Sequence, residues 1–249
     1  MPKLKRIVAA WQGAIDWNTL FLGNHDQPRV VSRFGDTSSE ELWKRSAKCL
    51  ATLMYLQRGT PFIYQGEELG MTNAPFETRE QLRDVEELNL LALCSSEAEL
   101  EWAWRGIKAK GRDNARTPMQ WSAGENADFT TGEPWIMLNP NYTDINAEAE
   151  EGDPDSVLNY YRALIALRNS TPALLRGDWR ELLPESGQVV AYTRGLDGEE
   201  YAVLCNLSRE SAPLPCRLGD FGEPVLSNMP ADPAAETLRP YEAQVLKKG

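Results

Sequence analysis

The order in which the apolar patterns change period is the strongest constraint on how this chain can fold. Leu4, Ile7, Val8 and Trp11 recur at the i, i+3, i+4, i+7 spacing of an amphipathic helix. Thr19 to Leu22 then reads as a short buried strand running into a polar turn. Ser38 and Glu41 have capping-box spacing and open a second helix with Leu42, Cys49, Leu53 and Leu56 on its apolar face and Gly59 as its end. TPFIYQGEELG supplies a second short apolar strand followed by a polar loop. Thr78 with Gln81 repeats the capping signal for a helical region that is broken around CSSEAE and runs towards Lys110. Strands separated by helices run parallel through crossover connections, so this part of the chain is predicted to be α/β.

From Gly111 to about Pro154 no steady period survives, and loops of that length inside a compact domain are usually functional. A helix follows, capped by Asp155 or Ser156, with Val157, Tyr161, Leu164, Ile165 and Arg168 along one side and Asn169 with Pro172 at its end. Beyond Pro172 the period becomes that of strands. GQVVAYTRGLDGEEYAVLCNLS is a hairpin around Asp197-Gly198, and PLPCRLG, EPVLSN and YEAQVLKK are further short strands. A boundary near residue 172 is predicted, with residues 1–171 in one domain and residues 172–249 in an antiparallel β domain.

Composition narrows the partners. In 249 residues the formal net charge is -11, which argues against nucleic acid or an anionic membrane, since phosphate binding needs a basic face. No segment is long and apolar enough to span a bilayer or act as an export signal, so a cytoplasmic location is predicted. Cys49, Cys94, Cys205 and Cys216 are far apart and are expected to be reduced, mostly buried thiols. With a single histidine, a zinc site is not expected, and no metal or cofactor is predicted. The sequons at Asn141, Asn169 and Asn206 are read as chance matches.

That single histidine, His25, stands in LFLGNHDQPRVVSRFGD, where the first apolar run ends. Two readings are open. Asn-His-Asp followed by Gln-Pro is turn-forming material, and a lone histidine there is most often a solvated turn residue. Alternatively, His25 and Asp26 are displayed at the carboxyl end of a strand, where α/β proteins place their chemistry.

Three segments in order decide between them. FLGNHDQPRVVSRFGD, GTPFIYQGEELGMTN and GRDNARTPMQW, followed by a β-rich tail ending in LRPYEAQV, closely resemble the carboxyl-terminal part of an α-glucosidase of the α-amylase superfamily. Within that superfamily the segments resemble the oligo-1,6-glucosidase and trehalose-6-phosphate hydrolase group. The resemblance implies the end of a (β/α)8 barrel, with Leu20–Leu22 as the seventh strand and Phe62–Tyr64 as the eighth, followed by an antiparallel β-sandwich. It implies a retaining glycoside hydrolase acting on α-linked gluco-oligosaccharides. Asp26 matches the family's third active-site aspartate, which stabilises the transition state. His25 and Arg112 match substrate-binding residues of the same subsite, and Gln27 is placed at the next one. Glu67 and Glu68 are read as carboxylates that shape their loop. Trp121 and Trp135 could stack on sugar but are expected more often in the core.

An oxocarbenium-like transition state makes ring hydroxyls better donors, so a carboxylate gripping them favours that state over the ground state. The Arg112 fork suits vicinal hydroxyls and the Asp26 carboxylate; the alternative is a salt bridge that only holds its loop. The family's nucleophile and acid/base follow strands four and five, which have no counterpart here, so the isolated chain is expected to be inactive. Its partner would be the missing amino-terminal part of the barrel. The other reading is a catalytically inactive remnant or a carbohydrate-binding piece. DQPR at 26–29 is closer to hydrolases than to sucrose-isomerising relatives, which tend to show DNPR; linkage specificity stays open.

Overall fold

The computed structural model describes residues 2–214, 218–230, 232 and 236–249. In chain order the elements begin with α1 (Pro2–Ala14), β1 (Asn18–Leu20), α2 (Val30–Phe34), α3 (Glu40–Tyr55) and β2 (Gly59–Pro61). Then come α4 (Val85–Leu93), α5 (Glu97–Lys110), α6 (Asp113–Arg116), α7 (Ala147–Gly152), α8 (Val157–Ser170) and α9 (Pro172–Arg176). The remainder is strand: β3 (Asp178–Leu182), β4 (Val189–Leu196), β5 (Glu199–Asn206), β6 (Ala212–Pro213), β7 (Phe221–Ser227), β8 (Thr237–Leu238) and β9 (Ala243–Lys248). The chain divides into two compact units, one of residues 1–21, 38–62 and 160–249, the other of residues 22–37 and 63–159. This division by packing cuts the chain differently from the boundary near residue 172.

In the first unit β1 and β2 pair in parallel, Asn18 opposite Gly59 and Leu20 opposite Pro61. The crossover helix predicted from the sequence is α3, whose N-cap is Ser39, one residue later than expected, with its Oγ accepting from Leu42 N–H. The two strands end earlier than expected, at Leu20 rather than Leu22 and at Pro61 rather than Tyr64. They are also only partly buried: Leu20 is enclosed, whereas Thr19, Phe21 and Phe62 are exposed. Gly59 opens β2 instead of ending α3. Its φ is +145°, and a Cβ there would lie 2.2 Å from the Asn18 carbonyl oxygen, so only glycine permits this approach of the two strands.

The helix expected at the amino terminus is present, but its buried face is rotated. Ile7 and Trp11 are exposed, while Lys5, Val8 and Gln12 are enclosed. Polar anchors decide this: Lys5 Nζ donates to the carbonyls of Leu183, Ser186 and Val189, and Gln12 Nε2 donates to Arg58 O at 3.0 Å. Ile165 of α8 is likewise exposed, although Val157, Leu164 and Arg168 are buried as expected.

Five strands form one antiparallel sheet in the order β3-β4-β5-β9-β7, and β6 pairs with β8 in a second sheet. Leu196 and Glu199 face each other across Asp197-Gly198, both at positive φ, which is the two-residue hairpin read from the sequence. Alternation gives the larger sheet two buried faces. Val189, Ala191, Ala202, Leu204 and Leu246 pack with Ala212 and Leu238 of the smaller sheet. On the opposite face Tyr192 Oη donates to Leu53 O of α3 at 3.0 Å, and Cys205 lies beside Cys49. Arg194, fully enclosed on that face, donates to the carbonyls of Leu56, Leu174 and Gly177. Cys49, Cys94 and Cys205 are free thiols; Cys216, within the predicted PLPCRLG strand, lies outside the described residues.

The second unit is helical and irregular. The helical region predicted from Thr78 to Lys110 resolves into a short 3-10 turn, α4 and α5, with the break at 94–96 as expected. Ala74, Phe76, Leu82, Leu91, Ala103, Ile107 and Ile136 form its core. Trp121 and Trp135 are not part of it: they are 51% and 63% exposed, which corrects the expectation that they are core residues. Their indoles emerge from the irregular stretch, where no regular packing face exists to receive them. Among the described residues no helix is long and apolar enough to cross a membrane.

Candidate active site

The turn that carries His25 and Asp26 is built by its first residue. Asn24 Oδ1 accepts from Asp26 N–H at 2.8 Å, and Asn24 O accepts from Gln27 N–H at 3.3 Å, so the side chain and backbone of one asparagine fix the turn. Both side chains project outward, His25 71% and Asp26 48% exposed, with His25 Nε2 3.3 Å from Asp26 Oδ2.

Arg29 ties this turn to the rest of the second unit. It is buried, donates from Nη1 to Gln65 O at 2.7 Å and from Nε to Asn114 O at 3.0 Å, and reaches Thr117 with Nη2. Burial lowers its pKa to about 10, opposed by the charges of Tyr64, Glu68 and Glu67. Glu67 and Glu68 therefore lie around this guanidinium, as loop-shaping carboxylates should. Burial also raises the Glu68 pKa. Gly66 sits between turn residues at φ +83°, where a Cβ would meet Met71 Sδ at 2.3 Å. One arginine thus joins all three segments singled out in the sequence.

The third segment, GRDNARTPMQW, is held by its own buried polar residues. Asn114 donates from Nδ2 to Gly111 O at 3.0 Å and accepts from Ala74 N–H at 3.0 Å. Asp113 accepts from the N–H groups of Arg83 and Asp84 at 2.6 and 2.9 Å. Arg112 is thereby set beside the histidine turn, its Nη1 3.6 Å from Asp26 Oδ1. Arg116, which the sequence reading did not single out, comes closer: Nη2 is 3.3 Å from Asp26 Oδ1 and Nε donates to His25 O at 3.1 Å. A spacing of four in a helical segment puts Arg112 and Arg116 on one side, and that spacing was the available signal. Gln27 does not join them; its Oε1 accepts from Arg33 Nη1.

Behind the arginines lies Asp84, also missed because nothing distinguishes it in the sequence from an ordinary helix cap. Hydrogen bonds from Arg112 hold its carboxyl below the usual range, and Asp84 in turn raises the Arg112 pKa. Glu87 behaves oppositely, pushed up to about 7 by burial and by the charge of Asp113.

Chemically this is a carboxylate and an imidazole at the surface, backed by two guanidinium groups. Such a set can accept from and donate to neighbouring hydroxyls of a neutral polyol.

The whole surrounding sequence matches known proteins. Residues 1–177 fit the model of the alpha-amylase catalytic domain. The chain belongs to the alpha-amylase family. It is 45% identical to the probable oligo-1,6-glucosidase 2 of Bacillus subtilis, over 98% of this chain and 45% of that protein. The crystal structure of Bacillus licheniformis trehalose-6-phosphate hydrolase superposes with a TM-score of 0.92 at 40% identity, covering 99% of this chain and 46% of the other. The trehalulose synthase of Pseudomonas mesoacidophila MX-45 gives a TM-score of 0.89 at 43% identity, over 100% and 46%. The chain spans about half the length of the curated relatives it matches.

Proposed function

We propose that this chain is the carboxyl-terminal part of a retaining α-glucosidase acting on α-linked gluco-oligosaccharides. β1 and β2 are its seventh and eighth barrel strands, and residues 172–249 are its β-sandwich domain. The observation that carries this reading is the convergence of His25, Asp26, Arg112 and Arg116 in a member of the alpha-amylase family.

In this reading Asp26 accepts from ring hydroxyls of the glucosyl unit. Those hydroxyls become stronger donors as positive charge develops, so the contact is tighter in the transition state than in the ground state. His25 donates to an adjacent hydroxyl and holds the ring in place. Arg112 orients Asp26 and meets the sugar with Nη1, the nitrogen that faces Asp26. Gln27, released from Arg33, lines the next subsite. The nucleophile and the general acid that the chemistry needs come from the amino-terminal part of the barrel, the partner of this chain.

The chain alone is therefore expected to release no aryl alcohol from an aryl α-glucoside. Joined to, or mixed with, an amino-terminal part that carries the two further carboxylates, it is expected to turn over. Steady release by the purified chain alone, in proportion to its concentration, would overturn the division of roles. No release by the completed protein, folded and monodisperse, would favour an inactive carbohydrate-binding piece. Trehalulose synthase, as a relative of similar identity, makes the products of sucrose part of the same assay.

A further inference from the structure

Asp84 does not reach the front of the site, yet both of the arginines there pass through it. Its side chain is 1% exposed. Oδ2 accepts from Arg112 Nε at 2.5 Å and Oδ1 accepts from Arg112 Nη2 at 2.7 Å, a two-pronged contact. Arg116 Nη1 lies 3.4 Å from the same Oδ2. The remaining nitrogens of the two guanidinium groups face the histidine turn: Arg112 Nη1 and Arg116 Nη2 stand 3.6 and 3.3 Å from Asp26 Oδ1, and Arg116 Nε donates to His25 O.

One buried carboxylate thus grips two arginines from behind while a half-exposed carboxylate meets them in front. The anchor is itself immobilised. Asp84 N–H donates to Asp113 Oδ2 at 2.9 Å, and Asp84 Oδ1 accepts from Glu86 N–H at 2.9 Å as the N-cap of α4. Planar, charge-assisted pairs of this kind define a direction, which a single point contact does not. A free arginine at a surface would sample many rotamers and give Asp26 no fixed orientation.

We propose that Asp84 is a positioning residue: it sets the direction from which Arg112 and Arg116 meet Asp26, and through them the orientation of the Asp26 carboxylate. The consequence for turnover rests on the glycosidase reading above; the arrangement itself does not. Asp84→Asn separates this role from helix capping, because asparagine caps a helix about as well as aspartate but is neutral and offers one acceptor oxygen in place of two.

The test uses the full chain. In the wild type the Arg112 Nε–Hε group is expected to exchange with water at least about tenfold more slowly than that of the exposed Arg105. In Asp84→Asn the Arg112 signal should move to the position of exposed arginines and lose this protection. The ring signals of His25, unambiguous because the chain has one histidine, should shift with it. In Asp26→Asn the Arg112 protection should persist, since the anchor is Asp84. An unchanged Arg112 signal in Asp84→Asn, or equal loss in both variants, would overturn the proposal. If Asp84→Asn does not fold, exchange of Arg112 at the rate of Arg105 in the wild type has the same force. In the completed enzyme Asp84→Asn should lower kcat on the order of tenfold, with a smaller change in KM. Full kcat there would also overturn it, whereas absence of wild-type turnover strikes the glycosidase reading and leaves the arginine signals to decide.

Discussion

Residues 172–249 expressed without the rest of the chain should not fold stably, although they contain every strand of the five-stranded sheet. One face of that sheet is closed by β6 and β8, which the piece retains. The other face is closed by α3, which it loses, and by α9, which it retains. Val190, Val203 and Val245 share that face with Tyr192 and Cys205, and all five are buried. α3 packs on β5 and β9, so exposing Val203 and Val245 costs roughly 3–6 kcal/mol at about 1.5–3 kcal/mol for each side chain. A compact denatured state reduces this by roughly 10–40%. The Tyr192 hydroxyl loses its carbonyl partners in α3, and Arg194 loses Leu56 O. A piece of this size is expected to have a total stability of about 4–12 kcal/mol, so the loss consumes a large part of it. Urea unfolding followed by circular dichroism, on the piece and on the whole chain, measures the difference. The expected result is no cooperative transition for the piece. In a limited digest of the whole chain, a peptide containing α3 should co-elute with the sheet under native conditions. A cooperative transition with the midpoint of the whole chain, or a resistant fragment beginning near residue 172 and free of α3, would refute the reasoning.

Three further outcomes are expected. In the completed enzyme Asp26→Asn should lower kcat by about a hundredfold or more with less effect on KM; near-normal kcat with a raised KM would mean that Asp26 binds substrate and transition state alike. Arg112→Lys should be nearly as damaging as Arg112→Ala with the fold intact by circular dichroism, because a point charge cannot make both prongs to Asp84 and also face Asp26; full activity of the lysine variant would reduce Arg112 to a loop anchor. Glu87 in the folded chain titrates at about 7, above the ordinary 4.5. The native state therefore holds the extra proton between these values, and stability falls as pH rises through that window. Glu87→Gln, which mimics the protonated form, should raise the urea midpoint at pH 8 and change it little at pH 5; equal shifts at both would contradict the burial argument.

Local chemistry alone determined much of this protein. The periods of its apolar residues place α3, α8 and the Asp197-Gly198 hairpin, because capping side chains and turn dihedrals act within a few residues. The same locality allowed the histidine turn to be read, since Asn24 builds it from within. Which faces are covered is a different matter. Leu4, Ile7, Val8 and Trp11 form a regular helical stripe, yet the enclosed face is that of Lys5, Val8 and Gln12, because three carbonyls near residues 183–189 receive the Lys5 ammonium. Gly59 looks like a helix end until the backbone of Asn18 is set against it. Arg29 and Asp84 carry no local signature and Arg116 only its spacing from Arg112, and their roles arise from partners 28 to 90 residues away along the chain. Period and capping are properties of neighbours in sequence. A buried carboxylate becomes an anchor only when the fold brings two guanidinium groups to it, and only tertiary structure brings that about.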